Sequence, residues 1–204
     1  MLAIVDYGVG NLFSLCSSLK SLNQPAVITS DPKEISAADR VILPGVGAFG
    51  DAAEKLRNTG LDTVVREQAE NGKPLLGICL GMQLLFEKSY EFGEHTGLGL
   101  LQGSIVPMKG TILEGLKIPQ MGWNSLTLRR SHPLLRDIKD GDCVYFVHSY
   151  YADGCDDSLI AFCDYGREIT AAVASGNVMG CQFHPEKSGK VGLSILKAFC
   201  EVPV

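Results

Sequence analysis

Short apolar runs alternate with longer amphipathic ones through the first half of the chain, and this alternation limits the fold more than any other feature. Leu2 to Val5, Ala26 to Thr29, Val41 to Leu43 and Leu75 to Ile78 are too short for helices and largely lack polar alternation, which predicts strands buried on both faces. Between them, Asn11 to Leu22 and Ala52 to Ala69 carry helical spacing, the second interrupted near Gly60. Parallel strands need long crossovers, so the βαβα order predicts an α/β fold, a three-layer sandwich with a mostly parallel central sheet between helices.

The second half differs. Trp123 to Leu128, Cys143 to Tyr151, Ile160 to Cys163, Ile169 to Ala174 and Val178 to Phe183 are strand-like, with Ser175-Gly176-Asn177 as a tight turn between the last two. Antiparallel strands appended to the parallel sheet are expected there, with Ser188 to Phe199 as a closing helix. A chain of 204 residues suits one core, so residues 1–204 are expected to form a single domain.

Composition excludes several classes of partner. A formal net charge of −5 and the lack of a dense basic run argue against nucleic acid and membrane surfaces, since Arg129-Arg130 is only a solvated pair. The N-terminal residues lack the pattern of a secretory signal, and no apolar run approaches the roughly 20 residues that span a bilayer, so a cytoplasmic location is expected. Seven cysteines without a C-x-x-C pair suggest free thiols in a reducing compartment. With four scattered histidines they give no pattern for a metal site, and no cofactor is expected.

One cysteine stands apart. The apolar run Leu75 to Ile78 leads through Gly77-Ile78-Cys79-Leu80-Gly81 into a helical pattern, the context of a nucleophile elbow. Such a turn strains its central residue, so neighbours two positions away must be small, and a helix N-terminus beside the thiol favours thiolate. Later, the apolar run Val178 to Phe183 ends in His184-Pro185-Glu186. Residues two apart on extended backbone face the same side, so Glu186 could orient His184 and stabilise its cation. Pro44-Gly45-Val46-Gly47, directly after the Val41 to Leu43 run, can turn backbone N–H groups toward a ligand and is read as an oxyanion loop rather than a plain turn. A phosphate cradle would need G-x-G-x-x-G or a Walker pattern, and neither is present.

Gly-Ile-Cys-Leu-Gly-Met-Gln, the later His-Pro-Glu and the early Pro-Gly-Val-Gly together resemble the triad-type, class I glutamine amidotransferase family, over essentially the whole chain. Asp6-Tyr7-Gly8-Val9-Gly10-Asn11, Met121-Gly122-Trp123-Asn124 and His148-Ser149-Tyr150-Tyr151 resemble the branch of glutaminase subunits that serve imidazole glycerol phosphate synthesis in histidine biosynthesis. The resemblance implies a flavodoxin-like sheet and hydrolysis of L-glutamine, with Cys79 as nucleophile, His184 as base and Glu186 orienting it. Oxyanion donors would come from Leu80 and from Val46 and Gly47, and glutamine would be held by Gly45, Gln83, Ser149 and Tyr150. It also implies a heterodimer with a (β/α)8-barrel cyclase that receives the ammonia, with Asn11, Met121, Trp123 and Lys187 as candidates for the docking face. Core packing is the alternative for Met121 and Trp123. Other readings remain at this point: a glutaminase serving another synthase such as anthranilate, pyridoxal phosphate or guanylate synthase, a stand-alone cysteine hydrolase, or a non-catalytic module on the same fold.

Overall fold

The computed structural model describes residues 1–203, so Val204, the last residue of the expected domain, lies outside the described residues. The first half runs β1 (Leu2–Val5), α1 (Leu12–Ser21), β2 (Ala26–Thr29), α2 (Pro32–Ala37), β3 (Arg40–Leu43), α3 (Phe49–Asn58), α4 (Leu61–Glu70), β4 (Leu75–Ile78) and α5 (Leu80–Leu84). The four strands fall where the apolar runs predict them, and the reason is visible in β1. Leu2 and Ile4 pack with Leu15, Leu19, Ile195 and Phe199 on one face, while Ala3 and Val5 pack with Ile35, Leu56 and Val65 on the other. Both faces are covered, so the strand has no polar side to alternate with. Each fully buried Leu or Ile of this kind contributes about 1.5–3 kcal/mol. Gly60, at a left-handed φ of 72°, divides the expected Ala52 to Ala69 helix into α3 and α4. The sequence reading places no helix at α2, which is too short to show periodicity and is set by local chemistry: Pro32 opens it and the Asp31 carboxylate accepts from the Lys33 N–H at 2.8 Å.

The second half contains β5 (Phe86–Ser89), β6 (His95–Thr96), β7 (Leu101–Pro107), β8 (Gln120–Ser125), β9 (Thr127–Leu128), β10 (Cys143–His148), β11 (Tyr150–Asp153), β12 (Leu159–Asp164), β13 (Glu168–Ser175), β14 (Val178–Cys181) and α6 (Gly189–Glu201). The main sheet has the order β2-β1-β3-β4-β14-β13-β12-β9, parallel from β2 to β14 and antiparallel beyond. The expectation that the late strands simply extend this sheet holds for β9 and β12–β14 and fails for the rest. Cys143 to Tyr151 is two strands rather than one: β10 pairs with β8 and β11 with β7, so the chain changes sheets at Ser149. Trp123 to Leu128 divides in the same way between β8 and β9. Strands β5, β6 and β7, not expected from the sequence, join β11 in a separate four-stranded sheet. An apolar run records burial and not the identity of the paired strand, so it does not mark such a crossing.

The topology has a direct consequence for function. In a doubly wound sheet, ligands bind beyond the carboxyl ends of the strands. The Pro44 loop follows β3, Cys79 follows β4 and the His184 segment follows β14, and these three strands are neighbours in that order.

Candidate active site

Cys79 ends β4 with φ 53° and ψ −111°, a conformation that costs a non-glycine residue on the order of 1–3 kcal/mol. The neighbours hold it there. The Cys79 N–H donates to Cys181 O at 2.7 Å, which ties the elbow to β14. A Cβ on Gly77 would stand 2.6 Å from Met82 Cα, and one on Gly81 would stand 1.9 Å from Leu43 O, so only glycine lets α5 lie this close to β3 and β4. The small flanks expected for an elbow are thus explained by close packing of backbone on backbone.

Strand β14 pairs with β4 in the register Cys181↔Ile78, which brings the segment after each strand to the same edge of the sheet. His184 is extended, with φ −97° and ψ 100°, and its N–H donates to Tyr145 O at 3.0 Å. The chain then enters a single 3-10 turn over Pro185–Lys187. The pairing of His184 and Glu186 therefore arises from this turn and not from continued extension of the strand. The contact itself is as expected, with His184 Nδ1 lying 2.8 Å from Glu186 Oε1 and both side chains almost wholly buried. Burial disfavours the imidazolium, but contact with Cys79 and with the Glu186 carboxylate outweighs it and raises the His184 pKa to about 9. With Nδ1 committed to Glu186, the buried Nε2 makes no hydrogen bond of good geometry among the described residues and is the nitrogen left for Cys79.

Cys79 and His184 open into one cavity of about 180 Å³, small beside the roughly 300–1,000 Å³ of sites for larger ligands. Its wall includes Val46, Gly47, Leu80, Gln83, Ser149 and Tyr150, all expected from the sequence. Gly47 has a φ of 94°, and Leu80 begins α5, where a backbone N–H has no partner within the helix. Tyr7 Oη donates to Pro44 O at 2.8 Å and so anchors the start of the loop. Gly45 is set back from the cavity wall, packed where a Cβ would meet Gly81 N at 2.7 Å and Leu80 Cβ at 2.9 Å. Gln83 Nε2 donates to Tyr150 O and to Gln182 Oε1, each at 3.0 Å, which leaves Oε1 as the end it can offer a ligand. The Ser149 carbonyl accepts from Met108 N, and the Tyr150 carbonyl accepts from both Gln83 and His148.

Residues 3–202 match the class I glutamine amidotransferase family. The chain belongs to this family, in its imidazole glycerol phosphate synthase subunit HisH branch. It is 52% identical over 203 residues to that subunit from Caldanaerobacter subterraneus, covering 99% of this chain and 98% of the relative. The Wolinella succinogenes subunit is 51% identical over 204 residues, covering 99% of this chain and 100% of its own. Among solved structures, a glutamine amidotransferase superposes with a TM-score of 0.75 at 19% identity, covering 97% of this chain and 98% of that one. PurLQS from Thermotoga maritima superposes with a TM-score of 0.73 at 22% identity, covering 98% and 96%. At such identities these two structures establish the shared amidotransferase fold.

Two features of this amidotransferase site were not foreseen. Glu91 contributes a half-buried carboxylate to the cavity and accepts from the Phe49 N–H at 2.6 Å. Burial raises its pKa, opposed by that hydrogen bond and by His95. It follows β5, an element invisible in the sequence, so no pattern marked it. His148 also lines the cavity; burial holds its pKa down to about 4, so its ring is neutral, with Nδ1 donating to Tyr150 O at 2.8 Å. Of the docking candidates, Met121 is 62% and Trp123 55% exposed, which removes core packing as their explanation. Trp123 meets the Tyr145 ring edge-on at 6.1 Å, and Lys187 Nζ lies 5.9 Å above the same ring. Asn11 sits half-buried at the start of α1 without capping it. Among the described residues no group of His, Cys, Asp and Glu is arranged to hold a metal, and no helix is long and apolar enough to cross a membrane.

Proposed function

We propose that this chain is the glutaminase subunit of an imidazole glycerol phosphate synthase, hydrolysing L-glutamine to glutamate at Cys79 and delivering the ammonia to a (β/α)8-barrel cyclase. The reading rests on one observation above the others: Cys79 and a His184 already bonded to Glu186 share one small cavity at the ends of adjacent strands. Cys79 Sγ attacks the carboxamide carbon after its proton passes to His184 Nε2, and the Glu186 carboxylate stabilises the imidazolium. The carbonyl oxygen takes on negative charge beside the Leu80 N–H and an N–H of the Val46-Gly47 segment. His184 returns the proton to the amide nitrogen, the C–N bond breaks, and ammonia leaves a γ-glutamyl thioester. Water, deprotonated by His184, then attacks the thioester; the C–S bond breaks, glutamate is released, and His184 returns the proton to the sulfur.

The remaining groups suit the far end of glutamine. The Glu91 carboxylate and Gln83 Oε1 accept from its α-ammonium, and N–H groups of Ser149 and Tyr150 donate to its α-carboxylate. Ammonia released to water is mostly protonated and no longer nucleophilic, which is why a partner must take it directly. The exposed Met121 and Trp123 form a surface of the methionine and aromatic kind enriched at interfaces, with Trp123 against Tyr145 and Lys187 of the catalytic turn over the same ring. Asn11 belongs to the same proposed face. Residues 1–204 act as one domain, and the seven free thiols suit a reducing cytoplasm.

The test is glutamate release by the chain with its cyclase, with and without the cyclase's phosphorylated ribonucleotide. Cys79→Ala should abolish release while the complex still makes product from ammonium salt. Undiminished release by this variant would remove Cys79 from the mechanism.

A further inference from the structure

The wiring around the thiol contains one side chain that the mechanism above does not use. Gln182 is fully buried, with its Nε2 3.8 Å from Cys79 Sγ and its Oε1 3.0 Å from Gln83 Nε2. Which end of this amide faces the sulfur follows from donors and acceptors alone. A backbone carbonyl can only accept. Tyr150 O is met by Gln83 at 3.0 Å and by His148 Nδ1 at 2.8 Å, so both partners present an N–H. Gln83 turns its second amide proton to Gln182, whose facing atom must therefore be oxygen. The Gln182 NH2 group is left directed at the sulfur. Reversing either amide would set like groups against each other in a buried site, at about 1–3 kcal/mol for each group left unsatisfied.

We infer that Gln182 donates a hydrogen bond to Cys79 Sγ that stabilises the thiolate and fixes the line along which it attacks. The inference rests on Cys79 being the nucleophile proposed above. Gln182 and His184 are two apart at the end of β14, so both reach the sulfur from that segment, one as a neutral donor and one as the proton acceptor. A donor to a charged sulfur is roughly twice as strong as one to a neutral atom. The bond therefore favours the thiolate before attack and again when water expels it from the thioester. Because the donor carries no charge or mobile proton, it does not compete with His184 for the proton.

Alkylation of Cys79 by iodoacetamide in the full chain, followed by peptide mass spectrometry across pH, tests this. Gln182→Met fills the same space without a donor, and Gln182→Glu retains an acceptor for Gln83 while presenting no amide to the sulfur. Both should raise the midpoint of the pH–rate curve by about one unit, which is roughly tenfold less reactive thiolate below the midpoint. The glutaminase kcat should fall with a much smaller change in KM. The carboxylate of Gln182→Glu raises the midpoint by charge as well, so Gln182→Met decides: a purely structural Gln182 would leave its midpoint unmoved, and that result overturns the inference. Should either variant fold poorly, the unsubstituted protein answers alone: the Gln182 side-chain amide protons should move in the NMR spectrum as Cys79 titrates, and stationary resonances overturn the assignment. Glutamate release surviving in Cys79→Ala would defeat the nucleophile reading instead, a result independent of the Gln182 titration.

Discussion

Replacing Gly81 by Ala tests whether the elbow and the oxyanion loop work as one rigid unit. The added Cβ would stand 1.9 Å from Leu43 O and 2.8 Å from Leu43 C, where real Cβ contacts essentially never fall below 3.0 Å. The backbones must therefore separate by about 1.1 Å. Neither side yields easily. Leu43 is held in register with Gly77, Pro44 O is bonded by Tyr7, and Met82 is seated against Gly77 and Gly180. Gly81 is not at positive φ, so the effect is collision and not backbone strain. Overpacking of this kind costs about 1–3 kcal/mol, which should lower the melting temperature by several degrees. The larger effect is on rate, because the shift pulls the Leu80 N–H away from the Val46-Gly47 segment. Misplacement by about 1 Å costs roughly 100-fold, and losing an oxyanion donor about 100- to 1000-fold. Glutamate release by the liganded complex should show kcat down by about 100-fold or more, with KM changed much less. Turnover within about threefold of the unsubstituted protein, at an unchanged melting temperature, would refute the coupling.

The other predictions concern charge and surface. The raised pKa of His184 means that its imidazolium adds stability that is fully present below the ordinary value of 6.5 and lost as pH rises through about 9. Glu186→Gln should move that alkaline loss of stability to lower pH and cut kcat by roughly 100-fold or more; melting curves that coincide with the parent between about pH 6 and pH 10 contradict the assignment. Glu91→Gln should raise KM for glutamine about tenfold or more with kcat little changed, and steady-state kinetics showing the reverse split would place Glu91 elsewhere in the mechanism. Trp123→Ala should weaken association with the cyclase by about 30-fold, the loss expected at an aromatic anchor, without lowering the melting temperature of the isolated chain; sedimentation of the mixture measures the first and calorimetry the second.

The sequence by itself determined what depends on neighbours along the chain. The apolar runs of β1 to β4 mark strands covered on both faces, and Gly77 and Gly81 mark an elbow, because a crowded turn tolerates no larger flank. The proposed catalytic residues Cys79, His184 and Glu186 stand out in the sequence for the same reason, each set in a short pattern with its own chemistry. Only the tertiary structure decided what lies across the chain. That β14 sits beside β4 and brings His184 to Cys79 is a fact of strand order, which burial patterns do not encode. Glu91 and Gln182 gave no signal and His148 stood in a motif that assigned it no role, since what a carboxylate, an imidazole or an amide can do depends on what faces it, and residues distant in sequence supply that environment.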